Sequence, residues 1–157
     1  MNFSKTALES AAELVRTQMP PTPQYRWPLL EQLAGCELWV KHENHTPTGA
    51  FKVRGGITFI DWLKREHPEV TGIVTATRGN HGQSQARAAI AAGLTCTIYV
   101  PHGNSTEKNE AMRAFGGDVI VHGDIKRDNL CAMPRKQLCR GIANTTQRGC
   151  ADDDTDF

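Results

Sequence analysis

Three short runs rich in β-branched residues, Gly72-Ile-Val-Thr-Ala76, Thr95–Val100 and Asp118–His122, alternate with two stretches of helical spacing, Asn80–Ala92 and Thr106–Phe115. Strand, helix, strand, helix, strand at this interval predicts an α/β fold of βαβ units around a parallel sheet. Right-handed crossovers place the helices on the sheet faces. Gly93 and the Gly116-Gly117 pair stop the two helices, and Pro101 stops the middle strand. Ala86, Ala88, Ala89, Ala91 and Ala92 predict that the first helix lies close against the sheet. Upstream, Gly56–Glu66 reads as a helix with Ile57, Ile60 and Leu63 on one face, and Glu37–Lys41 as a short strand.

This α/β region, residues 37–124, is flanked by two segments of different character. In residues 1–36, Ser4 is placed to cap a helix carrying Leu8, Ala11, Ala12 and Val15, which Pro20, Pro21 and Pro23 end. Leu29, Leu30 and Leu33 suggest a second short helix closing near Gly35. In residues 125–157 no helical or strand period is sustained and apolar residues are scattered singly. Such a stretch buries too little surface to offset its ordering entropy, so disorder is expected.

The bulk numbers exclude several functions. The 157 residues suffice for one domain, and 39% are hydrophobic. A net charge of +1, from 18 basic against 17 acidic residues, makes no case for nucleic acid or an acidic membrane as partner. No apolar run approaches the ~20 residues of a membrane span. The first residues lack a basic start followed by an apolar core, so no secretory signal is expected. The 5 cysteines are odd in number with no C-x-x-C pair, which argues against zinc and for reduced thiols in the cytoplasm.

Chemistry-bearing residues gather in two places. In Lys41-His-Glu-Asn-His-Thr-Pro-Thr-Gly-Ala-Phe-Lys-Val-Arg-Gly-Gly56 a Pro-Thr-Gly turn feeds a helix start, with Lys52 in the first turn. The positive end of the helix dipole, together with burial, would favour the neutral amine that Schiff-base chemistry needs. Most lysines near a helix start are solvated, and residue type alone leaves both readings open. The second cluster, Thr75-Ala-Thr-Arg-Gly-Asn-His-Gly-Gln83, lies where a strand ends and a helix begins. Parallel sheets bind ligands there, and helix N-termini suit anions. Asn80 as a simple N-cap is the competing reading.

Together the clusters carry a resemblance. Lys-x-Glu-Asn-x-x-Pro-Thr-Gly-Ala-Phe-Lys-x-Arg-Gly is similar to the cofactor-attachment motif of the serine/threonine dehydratases, in the tryptophan-synthase-β-like, fold type II group of pyridoxal phosphate enzymes. Gly79-Asn80-His81-Gly82-Gln83 resembles the asparagine loop of that family, and Val100-Pro101, Ser105, Lys108, Met112 and Gly116 follow its pattern onward. The similarity runs from about Pro23 to Asp124. It implies an incomplete fold type II scaffold with pyridoxal 5′-phosphate as cofactor and a small amino acid as substrate. Lys52 would hold the cofactor covalently and remove the substrate α-proton. Phe51 would lie near the pyridine ring, and Asn80 would bond the 3′-hydroxyl. Thr77, Gly79, Asn80 and His81 would bind the substrate, chiefly by backbone N–H groups at its carboxylate. The implied reaction is β-elimination of water from L-threonine or L-serine, then release of ammonia and a 2-oxo acid.

The sequence departs from this pattern in two ways. Arg78 replaces a small hydroxyl residue before the Gly-Asn-His and is expected to face solvent. Neither the downstream glycine-rich phosphate loop nor the polar residue that meets the pyridine nitrogen is found. The expectation is a truncated chain whose tail after about residue 125 is frame-shifted or unrelated. The non-enzymatic alternative is an inactive remnant that pairs with a full-length relative; homo-oligomers are the habit of the family. Threonine synthase, diaminopropionate ammonia-lyase and serine racemase share the scaffold. His42, His45 and His122 read as surface histidines, Trp27, Trp39 and Trp62 as packing residues, and Lys108 as a helix-surface residue.

Overall fold

A computed structural model describes residues 4–123 and 142–144. Helix α1 spans Lys5–Gln18, strand β1 Gln24–Arg26, helix α2 Pro28–Ala34 and strand β2 Trp39–Lys41. Helix α3 spans Lys52–Glu66, β3 Gly72–Ala76, α4 Asn80–Ala91, β4 Thr95–Val100, α5 Thr106–Ala114, β5 Asp118–Val121 and β6 Ile142–Asn144. The predicted alternation is therefore present. The main sheet has the order β5-β4-β3-β6, and every pair in it is parallel.

Local signals account for most boundaries. The Ser4 hydroxyl accepts the Ala7 N–H at 3.1 Å and so caps α1. Gly35 closes α2 at φ 67°, a left-handed conformation that glycine adopts without a Cβ penalty. Ser105 caps α5 by accepting the Lys108 N–H at 3.3 Å.

The core forms where α3 and α4 meet the sheet. Ile60 and Leu63 of α3, Ala86 and Ala89 of α4, Ile73 of β3, Ile98 and Val100 of β4 and Met112 of α5 make one buried cluster. Three of the five alanines do what their size predicts: Ala86, Ala88 and Ala89 are buried and bring α4 close to its neighbours, whereas Ala91 is exposed and Ala92 half-buried where the helix ends. A smaller cluster joins Val15 and Met19 at the end of α1 to Val53 and Ile57 of α3. Thus α1 braces the helix that carries Lys52.

Helices α3 and α4 approach closely, and α4 also lies close to α5 and the end of β3. A Cβ added at Gly56 would run into the Ser84 hydroxyl and stand 2.8 Å from the Ser84 carbonyl oxygen. At Gly82 an added Cβ would meet the Met112 sulfur and stand 2.6 Å from Thr77 Cγ2. Both glycines are needed for space.

Four sequence expectations change. Strand β2 does not join the parallel sheet; it pairs antiparallel with β1, whose three residues carry no apolar alternation that would have marked them. Helix α3 begins at Lys52 rather than Gly56, because the turn before it already directs the chain into a helix. Trp27, Trp39 and Trp62 are about half exposed rather than packed inside. Within 125–157, expected to lack regular structure, Ile142–Asn144 forms a strand parallel to β3, with Gly72 opposite Ile142 and Val74 opposite Asn144. Three residues are too few to show a period, and main-chain bonds to β3 suffice to hold them. The expectations for the rest of that segment lie outside the described residues.

Gly56→Ala should lower folding stability by about 1–3 kcal/mol, because the added methyl meets backbone as well as a hydroxyl. Denaturant titration followed by circular dichroism checks this; a midpoint equal to that of the unaltered chain would contradict the close approach.

Candidate active site

The loop before α3 is built by its own side chains. The Thr46 hydroxyl oxygen lies 2.9 Å from both the N–H and the carbonyl of Ala50, and the Gly49 N–H donates to the Thr46 carbonyl at 2.9 Å. Gly49 turns the chain at φ 65°, which explains the Pro-Thr-Gly sequence. Thr46 and Thr48 are buried.

A second device ties this loop to α3 and to the chain after α1. Arg54 donates from Nε to Glu43 Oε2 at 2.8 Å and from Nη2 to Glu43 Oε1 at 2.9 Å. The Thr22 hydroxyl donates to Glu43 Oε1 at 2.6 Å, and Lys41 Nζ donates to the Thr22 carbonyl at 3.1 Å. The Arg54 fork, aided by Thr22 and Lys41, holds the Glu43 carboxyl at about 2, well below the usual carboxylate range.

Lys52 opens α3, with Phe51 before it, and no side chain caps this helix start. Both side chains are exposed, so the burial expected to act on Lys52 is not supplied by the described residues. They line an open cleft of about 400 Å³ together with Phe59 of α3 and His81 and Gln85 of α4. Gln85 is 4% exposed, and its Oε1 has no hydrogen-bond partner among the described residues. The Ser84 hydroxyl, fully buried, donates to the Lys52 carbonyl at 2.6 Å. One helix bond therefore connects the start of α3 to the body of α4.

The second cluster lies at the carboxyl end of β3, as expected of a ligand loop in a parallel sheet. Gly79, not Asn80, is the N-cap of α4, and no side chain caps the helix. Asn80 is exposed in the first turn, so its amide is not used for capping. Two of the expected backbone donors have partners already. The Thr77 N–H donates to the Tyr99 carbonyl at 3.0 Å, and the Gly79 N–H to the Thr77 hydroxyl at 3.3 Å. The anion-binding capacity of the loop thus rests on the first turn of α4. Arg78 is exposed, as its sequence context suggests.

Two residues with a bearing on the site were not singled out by sequence. Ser84 and Gln85 sit in a helix whose alanines dominate the pattern. Lys108 is exposed on α5, yet its alkyl stem packs on Gly79, where an added Cβ would stand 2.8 Å from Lys108 Cδ. His42, read as a surface histidine, accepts the Trp27 indole N–H at 3.3 Å and packs against Tyr25.

A lysine on an apolar-walled cleft beside an uncapped helix N-terminus is what a covalently held, anionic aromatic cofactor requires. Residues 15–151 match the family model described as pyridoxal-phosphate dependent enzyme. The chain belongs to this family of pyridoxal-phosphate dependent enzymes. The match extends past Asp124, where the sequence motifs end. The chain is 34% identical over 102 residues to the biosynthetic L-threonine dehydratase of Haemophilus influenzae, covering 65% of this chain and 20% of the relative. It is 32% identical over 142 residues to the serine racemase of Bos taurus, covering 89% of this chain and 41% of the relative. Its fold superposes on a pyridoxal 5′-phosphate-dependent aspartate racemase with a TM-score of 0.76 at 28% identity, over 93% of this chain and 46% of that one. The chain thus spans less than half the length of these relatives. Among the described residues no helix is long and apolar enough to cross a membrane.

The Glu43 pair makes stability depend on pH in a defined direction. Its folded-state carboxyl lies below the unfolded value, so the contribution is full above about 4.5 and is lost as pH falls toward about 2. With both side chains partly exposed, about 1–2 kcal/mol should be lost over that window. Denaturation midpoints of the chain and of Glu43→Gln between about pH 6 and about pH 2.5 check this. The loss should be smaller in the variant; equal acid sensitivity in the two would contradict the pairing.

Proposed function

We propose that this chain carries the lysine-bearing part of a lyase of the threonine/serine dehydratase type. The reaction is elimination of water from L-threonine or L-serine, followed by release of ammonia and a 2-oxo acid. The observation that carries the reading is the shared cleft: Lys52 and Phe51 from α3 open on the same space as His81 from the asparagine loop. The relatives named threonine dehydratase support the substrate class.

Each residue has a stated part. Lys52 Nζ, which opens on the cleft, would hold the cofactor and take the substrate α-proton. Phe51, 62% exposed, offers an apolar wall to an aromatic ring. The Asn80 amide would bond the cofactor 3′-hydroxyl. Asn80 and His81 in the first turn of α4, with Thr77 and Gly79 behind them, receive the substrate carboxylate. When bound, pyridoxal phosphate supplies the electron sink for the α-carbon.

The sequence contains no second glycine-rich loop for the cofactor phosphate, and the chain covers 20% of the dehydratase and 46% of the racemase structure. We assign full turnover to the complete fold, or to this chain paired with a full-length relative. Among the described residues neither Cys36 nor Cys96 is in a disulfide, and burial pushes the Cys96 thiol up to about 12.

The racemase relatives give a second reading, since removal of the α-proton is common to both reactions. The chain, with added cofactor, is to be assayed on L-threonine and L-serine for 2-oxo acid and for the D-enantiomer. Formation of 2-oxo acid that is lost in Lys52→Ala is the expected result. D-amino acid without 2-oxo acid would move the assignment to racemase. Absence of both, with no lysine-bound cofactor absorbance, would leave the inactive remnant.

A further inference from the structure

The first turn of α3 has a bond that the proposed chemistry does not use. The Ser84 hydroxyl, wholly buried in the middle of α4, donates to the carbonyl oxygen of Lys52 at 2.6 Å. Within α3 that carbonyl is also the acceptor for the helical bond from the Gly56 N–H, four residues on. Gly56 is the residue whose missing Cβ lets Ser84 approach. Three residues on two helices thus meet at one oxygen atom, which belongs to the lysine itself.

The arrangement is more specific than helix packing requires. A buried serine in an alanine-rich helix normally returns its hydroxyl to a carbonyl of its own helix, three or four residues back. Ser84 instead reaches across to α3. An apolar residue there would serve the core equally well, whereas a serine fixes which turn of α3 faces which turn of α4. The turn it fixes carries Lys52. Ser84 is also one helical turn from Asn80 and three residues from His81, which lines the cleft with Lys52.

We propose that Ser84 is a positioning residue for Lys52: through the Lys52 carbonyl it sets the height and direction of the lysine relative to the asparagine loop. Gly56 is the permissive half of the same device. The inference rests on the reading of Lys52 as cofactor anchor, and its test separates the two.

Ser84→Ala removes the donor and keeps the shape; Ser84→Cys keeps a side chain of similar size with a weak donor and guards against misfolding of the first variant. Amide hydrogen exchange of the cofactor-free chain comes first. In Ser84→Ala the amides of residues 52–56 should exchange about 2- to 10-fold faster, the loss expected for one hydrogen bond, while those of 60–66 stay unchanged. Ser84→Cys should fall between. The second readout is the visible circular dichroism of bound pyridoxal phosphate at saturation, which reports how rigidly the lysine presents the ring. It should drop in Ser84→Ala and recover in part in Ser84→Cys. Unchanged exchange at 52–56 would overturn the proposal, as would a uniform rise along all of α3 and α4, which marks a core role only. If the unaltered chain gives no lysine-dependent visible band, the cofactor reading fails, and the exchange result alone decides whether Ser84 fixes the first turn.

Discussion

The contact between Gly56 on α3 and Ser84 on α4 is the constraint on which the site depends. It brings two helix N-termini that are 28 positions apart in sequence, Lys52 and Asn80, into one fixed relation. The sheet alone could not do this. Strand β3 directs the chain into α4 and sets Asn80 at its carboxyl end, but α3 precedes the sheet and is held by packing and by side-chain bonds to its neighbours. Glycine at position 56 lets the two helices come within hydrogen-bonding reach, and the core residues Ile60, Leu63, Ala86 and Ala89 bury the surface that stabilises the approach.

Most of the long attachment motif serves to hold Lys52 rather than to do chemistry. Thr46, Gly49 and Ala50 form the turn that starts the helix. Glu43 and Arg54 bridge the loop to α3, with Thr22 joining from the chain after α1. Val53 faces Val15 and Met19, and Gly56 faces Ser84. That leaves Phe51 and Lys52 open to the cleft. A motif of this length is specific because each residue closes a different contact around one lysine.

Much of this was legible in the sequence. Period and glycine stops gave β3 to β5 and their helices with boundaries close to those found, and a serine cap marked the start of α1. Strands β1 and β6 were not legible, since three residues show no period and their pairing depends on distant partners. The exposure of Lys52 was also hidden, because helix position says nothing about what covers a side chain. So was the engagement of the Thr77 and Gly79 N–H groups, which requires knowing where the Tyr99 carbonyl and the Thr77 hydroxyl lie. Ser84 was masked by the alanines around it: a single hydroxyl in an apolar helix has no sequence signature for its partner.

Family membership fixes the cofactor class, while its relatives divide between elimination and racemisation. Those outcomes share one requirement, an amine held at the cleft where the cofactor binds. The most direct measurement is therefore borohydride reduction of the chain with pyridoxal phosphate, followed by peptide mapping of the fixed label. The label should fall predominantly on Lys52. An even spread over the other exposed lysines among the described residues, Lys5, Lys41, Lys64 and Lys108, would contradict the account, because the structure would then give Lys52 no advantage.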